Sequence, residues 1–323
     1  LNPITWLPVA IASYLLLSIN GSVDRAIVHQ EKTKPIVISF WVAIFSVATA
    51  GLVIIGFLPV PFADAFSFEF ASAGITALAI LAGTMTQAGL LFMYRSLEKG
   101  EATRVLSTMG ALIPITSFVT AYIFLDERLE SLAVVGFVFL IVATIVLTIN
   151  PSKKKKSQNK AWITNTIIAA LILGTQSIIA KYVFDNYHFI SAFALTGVGA
   201  GVYVAIISLL SKNVRNEIAA ALGKKTKSKK KTKRSNQVSF IFANSILGGV
   251  AVILLNYAIS LGSPTLVNAL RGVQYAGIFA IALLLANKYP KLLDEDLSAK
   301  SIRLKLSGIV LIIIGVILLA ASS

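Results

Sequence analysis

The stretch NALRGVQYAG, residues 268–277, places Arg271 with Asn268, Gln274 and Tyr275 inside a run that is otherwise Val, Leu, Ile, Ala and Phe. A guanidinium beside amide and phenol groups is chemistry that recognises a carboxylate or phosphate, through paired N–H donors. At 100° per residue, Asn268, Arg271 and Tyr275 fall within about 60° of one another on a helix, and Gln274 widens the arc to about 120°. The competing reading of Arg271 is a buried ion pair with Asp24, or a bond to a broken-helix carbonyl. Further polar groups lie within apolar runs: Asn20, Asp24, Arg25, Thr108, Gln176 and Asn256. Each is a candidate to line a substrate site, or to act as interhelical glue worth about 0.6–2 kcal/mol. Asp24 is the acid placed to relay a proton, and Arg25 beside it is the group that could neutralise it.

Other chemistries find no residues. Cysteine is absent, which excludes disulfides and thiolate catalysis. The two histidines, His29 and His188, fall at opposite ends of the predicted segments and cannot share a metal. No Walker A pattern occurs. The glycine string GVGAG (197–201) has no strand before it, and the four-residue spacing of Gly197 and Gly201 is that of close helix packing in membranes. The expectation is a protein that is not an enzyme and holds no cofactor and no metal.

The elements that position these groups follow from composition. Of 323 residues, 56% are hydrophobic and 13% charged, against about a quarter charged in soluble domains. Stretches such as 36–57 and 307–323 carry no charge, and about 20 such residues cross a bilayer as a helix. The expected segments are ten: 4–28, 36–58, 70–95, 102–124, 131–149, 162–184, 189–211, 237–260, 264–287 and 303–321. Of 29 Lys and Arg, all but Arg128, Lys181 and Arg271 lie in or beside the loops after the odd-numbered segments. Positive loops stay cytoplasmic, so both termini are expected outside a plasma membrane. The runs KKKK (153–156) and KKTKSKKKTKR (224–234) read as a disordered loop surface for anionic lipid, at about 1 kcal/mol per basic residue. No aromatic residue is interleaved to stack on bases, so no nucleic-acid partner is expected.

The chain repeats itself. EKGEATRVLSTMG (98–110) can be laid on SLGSPTLVNALRG (260–272), matching Gly100 with Gly262, Thr103 with Thr265 and Gly110 with Gly272. LLLSINGSVDRAIV (15–28) lies over LILGTQSIIAKYVF (171–184), pairing Asn20 with Gln176. Five helices per copy invert the second copy in the membrane, an architecture of secondary transporters that bind substrate near the midplane. The expected fold is an all-α integral membrane protein with ten transmembrane helices as two inverted five-helix repeats. Residues 1–150 form one repeat, 151–161 a basic linker, and 162–323 the other, with a Lys-rich loop at 212–236.

The run YRSLEKGEATRVLSTMGALIPITSFVTAYIFLDERLE (94–130) resembles the end of a five-helix unit in the EamA-like branch of the drug/metabolite transporter superfamily. The cues are a Gly–x–Ala turn into helix 4, Pro114 within it, and Glu127-Arg128-Leu129 before helix 5. In the second unit LLDEDLSAK (292–300) stands where the acidic–Arg–Leu turn belongs. The resemblance implies a ten-helix carrier that exports an amino acid or another anionic or zwitterionic solute by alternating access. It also implies cytoplasmic termini, where the charge bias of this chain points the other way. The residues alone leave open a lipid-linked head-group carrier and a non-transporting membrane scaffold. Monomer and homodimer are equally open.

Overall fold

Apolar runs of this length satisfy their backbone in hydrocarbon by closing each N–H on the carbonyl four residues back. The computed structural model describes residues 5–30, 34–51, 71–99, 102–149, 161–221, 231–285 and 298–322. Its helices are α1 (Trp6–Gln30), α2 (Pro35–Ala50), α3 (Ala73–Lys99), α4 (Ala102–Phe124), α5 (Ser131–Thr148) and α6 (Ala161–Asn186). They continue as α7 (Phe189–Leu210), α8 (Lys212–Ala221), α9 (Lys231–Leu261), α10 (Pro264–Ala269), α11 (Arg271–Leu285) and α12 (Ala299–Ala321). No strand occurs among the described residues. Among the described residues seven stretches, including α10 and α11 taken together, are long and apolar enough to cross a membrane, and shorter apolar stretches lie in α2, α4 and α9. This is a multi-pass membrane protein.

The helix starts follow local chemistry. Pro35 opens α2, where its missing N–H costs nothing. Ser263 caps α10, its hydroxyl accepting from the Leu266 amide at 3.1 Å, with Pro264 at the first helical position. Ser298 caps α12 in the same way through the Ser301 amide. Pro114 sits inside α4 without ending it.

Two expectations are corrected. The segment read as continuous from 264 to 287 is broken: Leu270, at φ −67° and ψ 0°, leaves the helix between α10 and α11. The Lys-rich loop expected at 212–236 begins with α8, and α9 starts at Lys231, inside the run 224–234 that reads as disordered. In α8, Val214 is buried and Ile218 half-buried against Phe40 of α2 and Tyr203 of α7, an apolar anchor that a count of lysines does not register. Residues 222–230, the linker 151–160 and the side chains of Asp24 and Arg25 lie outside what is described.

In the bundle α3 lies along α6 and α7, α5 along α12, α1 along α9 and α11, α4 along α6, and α2 along α7. The core, around Tyr14, Leu140, Val183 and Leu270, runs through the centre. Val135, Val138 and Val142 of α5 and Ile313 and Ile317 of α12 point outward, which suits lipid and would be an aggregation hazard in water. The α3–α7 crossing is tight. A Cβ on Gly83 would sit 1.9 Å from the Thr196 carbonyl oxygen, and one on Gly199 2.2 Å from that of Ile80. The string GVGAG therefore does pack helices, but its middle glycine is the critical one. Gly197 meets α2 at 3.0 Å, and Gly201 has ordinary space at 3.6 Å.

Candidate functional site

The four residues of the 268–277 face do not act as one surface. Asn268 is buried, and its amide nitrogen donates to Ser117 Oγ at 2.9 Å and Ser177 Oγ at 3.0 Å. That knot ties α10 to α4 and α6. Asn268 is thereby committed to interhelical bonding rather than turned toward a ligand.

Arg271 is on the other side of the break. It opens α11, its Nε is buried, and that atom has no hydrogen-bond partner among the described residues. Its guanidinium carbon is 5.9 Å from the centre of the Tyr14 ring, at the outer limit of a cation–π contact. Tyr14 is fully buried, and its hydroxyl also lacks a partner among the described residues. An unpaired buried donor costs about 1–3 kcal/mol, and more if charged. Two of them, on α1 and α11, face the same region of the core.

Tyr275 completes this wall, its hydroxyl donating to the Leu106 carbonyl at 3.2 Å. The ring comes close to α4 because position 110 is glycine: a Cβ there would lie 3.1 Å from Tyr275 Cε2 and 2.3 Å from Thr144 Cγ2. Gly272 presses on the same Thr144, where a Cβ would meet Oγ1 at 2.7 Å. The two glycines paired in the sequence repeat thus converge on one side chain of α5. Gln274 makes a long 3.3 Å bond from Nε2 to the Leu17 carbonyl, which binds α11 to α1.

The remaining sequence candidates are scattered. Asn20 and Asn244 exchange bonds between α1 and α9, Nδ2 of each donating to the other's carbonyl at 2.9 and 3.4 Å. Asn256 donates back to Val252 of its own helix. Thr108 and Gln176 are half-buried on α4 and α6. The expected relay or ion pair of Asp24 and Arg25 lies outside the described side chains. Tyr14 was not singled out by sequence, since a lone tyrosine in an apolar run reads as packing.

A second polar cluster closes the end of the bundle away from the lysine-rich loops. Asp126 adopts φ 50°, a left-handed conformation that Asp tolerates better than most residues. The Glu127 amide returns to the Ala121 carbonyl at 3.2 Å. This turn sends Asp126 and Arg128 outward, paired at 2.7 Å, with the guanidinium 3.8 Å over Tyr122. It sends Glu127 inward, where Ser263 Oγ donates to its Oε1. Burial pushes the Glu127 carboxyl above the usual carboxylate range, against the opposing pull of Ser263, Thr265 and Lys181. Lys181 itself donates to Asp185 Oδ1 at 2.7 Å and to the Ser260 carbonyl at 3.1 Å.

No family model matches this chain, and no curated protein matches it in sequence. A solved structure, described only as a crystal structure of protein, is similar over 100% of both chains with a TM-score of 0.68 at 12% identity. At that identity the likeness concerns the fold alone.

Proposed function

We propose that the chain is a secondary transporter, an exporter of a small anionic or zwitterionic metabolite such as an amino acid, working by alternating access. The observation that carries this reading is the pair of unanswered buried donors, Arg271 Nε and Tyr14 hydroxyl, at a helix break. An intramembrane arginine costs about 2.5–3.5 kcal/mol even on lenient insertion scales. A carboxylate or phosphate that accepts from both groups would offset that cost only while bound. Discontinuous helices in the bilayer are where secondary carriers hold their ligands.

The helix pairing supports ten spans in two inverted repeats. Exchanging α1–α5 with α6, α7, α9, α10–α11 and α12 carries the α3–α6 pair onto α9–α1 and the α4–α6 pair onto α11–α1. The pairs α2–α7 and α5–α12 map onto themselves. Gly136 and Gly315 accordingly face each other's carbonyls at 3.0 and 3.1 Å from their would-be Cβ positions. This arrangement agrees with membership of the EamA-like branch of the drug/metabolite transporters. On the charge bias, the chain sits in a plasma membrane with its termini outside.

The reading is tested by a thermal-shift screen of the purified chain against amino acids, nucleosides and sugar phosphates, because a ligand that binds only the folded state raises its melting temperature. Stabilisation by carboxylate- or phosphate-bearing compounds is expected, and stabilisation by uncharged nucleosides alone would overturn it.

A further inference from the structure

We propose that Trp6 is the outer gate of the carrier: its indole, seated on Gly262, closes the way to α10 and Arg271, and Trp162 holds the equivalent post at the inner end. This inference rests on the alternating-access reading and adds to it the side chains that move.

The seat is tight. A Cβ on Gly262 would lie 2.5 Å from Trp6 Cγ, 2.8 Å from Cδ1 and 2.9 Å from Cβ. Those atoms are the root of the side chain, so turning the tip of the ring would not relieve the clash. Gly262 takes no left-handed φ, so room for the indole is what requires glycine there. Gly262 stands between the end of α9 and the Ser263 cap of α10, and Trp6 opens α1. The contact thus ties the first helix of one repeat to a turn of the other. The Gly262 amide already donates to the Ala258 carbonyl at 3.0 Å, so the ring can lift without stranding it. All six residues of α10 beyond this turn are buried, Val267 completely, and Arg271 follows across the break.

A tryptophan at the end of a membrane helix is ordinarily an anchor that faces the headgroups. Trp6 is only 5% exposed and packs into the central core, which is the wrong place for an anchor. The repeat gives the second observation. The offset that lays 15–28 on 171–184 carries Trp6 onto Trp162, in the first turn of α6. The chain has three tryptophans, and two of them hold matched positions in the two repeats. The offset that lays 98–110 on 260–272 carries Val105 onto Val267. Each of these valines is fully buried and shares a cluster with its own tryptophan. Trp6 and Val267 belong to the central core, and Trp162 packs against the group of Val105, Met109 and Ile113. Trp162 is half-buried, and Ser96 Oγ donates to its carbonyl at 2.8 Å. Trp6 is therefore the deeper seated of the two. Rocking one repeat against the other around a fixed site would lift one ring as it seats the other.

The chain has no cysteine, so introduced thiols report on each end. Val267→Cys lies past the outer gate and Val105→Cys past the inner one. Asn186→Cys and Lys212→Cys are exposed references at the outer and inner ends. Labelling by a membrane-impermeant maleimide is measured in intact cells for the outer pair and in inside-out vesicles for the inner pair, each as the ratio of buried to reference rate. Trp6→Ala and Gly262→Ala are each expected to raise the outer ratio several-fold and to lower the inner one. Trp162→Ala is expected to do the reverse. The double variant Trp6→Ala with Gly262→Ala should label no faster from outside than Trp6→Ala alone, since the added methyl then meets no ring. An unchanged outer ratio in both single variants overturns the gate. So does an outer rise without an inner fall, because local loosening exposes one thiol and leaves the other end alone. If neither variant reaches the surface, Trp6→Phe sets a smaller ring on the same seat, and an unchanged outer ratio there overturns the gate instead. Parent ratios in Trp162→Ala overturn the inner half of the proposal, and an Asn186→Cys that labels only in inverted vesicles overturns the outer placement. The labelling needs no ligand. Reciprocal ratios without any ligand response at Arg271 therefore fail the substrate reading alone, and absent reciprocity with that response intact fails the gate alone.

Discussion

Asn268 and Arg271 are three residues apart on one apolar segment, and the structure gives them opposite circumstances. Asn268, in α10, has both of its amide hydrogens taken up by Ser117 and Ser177. Arg271, in α11, keeps a buried donor that nothing described accepts. The lesson is that polarity at depth does not by itself mark a site. A satisfied polar group specifies which helices meet, whereas an unsatisfied one costs stability that only a ligand or an undescribed acid could return.

The upper bound for a purely structural lesion comes from neither residue but from the α3–α7 crossing. Gly199→Leu should abolish correct folding, because even a Cβ would lie 2.2 Å from a backbone carbonyl oxygen. Gly201→Leu should fold, since its space is ordinary. Size-exclusion profiles of the two detergent-purified variants make the check, and equal damage in both would mean the crossing is misassigned.

Next in size is Asn268→Leu, which removes the donor shared by Ser117 and Ser177, hydroxyls that keep the Gly174 carbonyl, and should lower stability by about 0.6–2 kcal/mol. The folded fraction should respond to ligand as the parent does. If ligand response disappears while melting is unchanged, the division between the two residues collapses.

Gln274→Leu is expected to be the mildest. Its 3.3 Å bond to the Leu17 carbonyl is long, and a loss of about 0.5–1.5 kcal/mol is the range for a neutral hydrogen bond. A ligand affinity that falls tenfold in this variant would move Gln274 from helix pairing into the site.

Much of the scaffold was legible in the chain. The segment expected at 102–124 is α4 to the residue, and 131–149 and 189–211 end within one residue of α5 and α7, because apolar length and charged flanks fix where a membrane helix starts and stops. The break at Leu270 was not legible, since neither glycine nor proline stands there to announce it. Counting 100° per residue through that break is what placed Asn268 and Arg271 on one face. Tyr14 escaped notice because its relation to Arg271 is tertiary, between α1 and α11. Gly199 did so because the four-residue rule presumes one partner helix, and α7 has α2 and α3. Glu127 entered only as part of the Glu127-Arg128-Leu129 turn before helix 5. Only the left-handed Asp126 shows that the turn aims it inward.

The central claim is that Arg271 is held for an anion rather than for the fold, and one set of melting curves tests it most directly. Arg271→Gln and the double variant Arg271→Gln with Asp24→Asn are melted beside the parent, each with and without the strongest stabilising amino acid or sugar phosphate. Arg271→Gln is expected to melt at or above the parent, because a costly intramembrane charge is gone. The ligand response is also expected to fall by an amount on the order of 1.5–3 kcal/mol, the worth of a charge-assisted bond. The contrary result is a clear loss of stability in Arg271→Gln that Asp24→Asn restores, with the ligand response of the double variant equal to the parent's. That would make Arg271 one half of a structural ion pair.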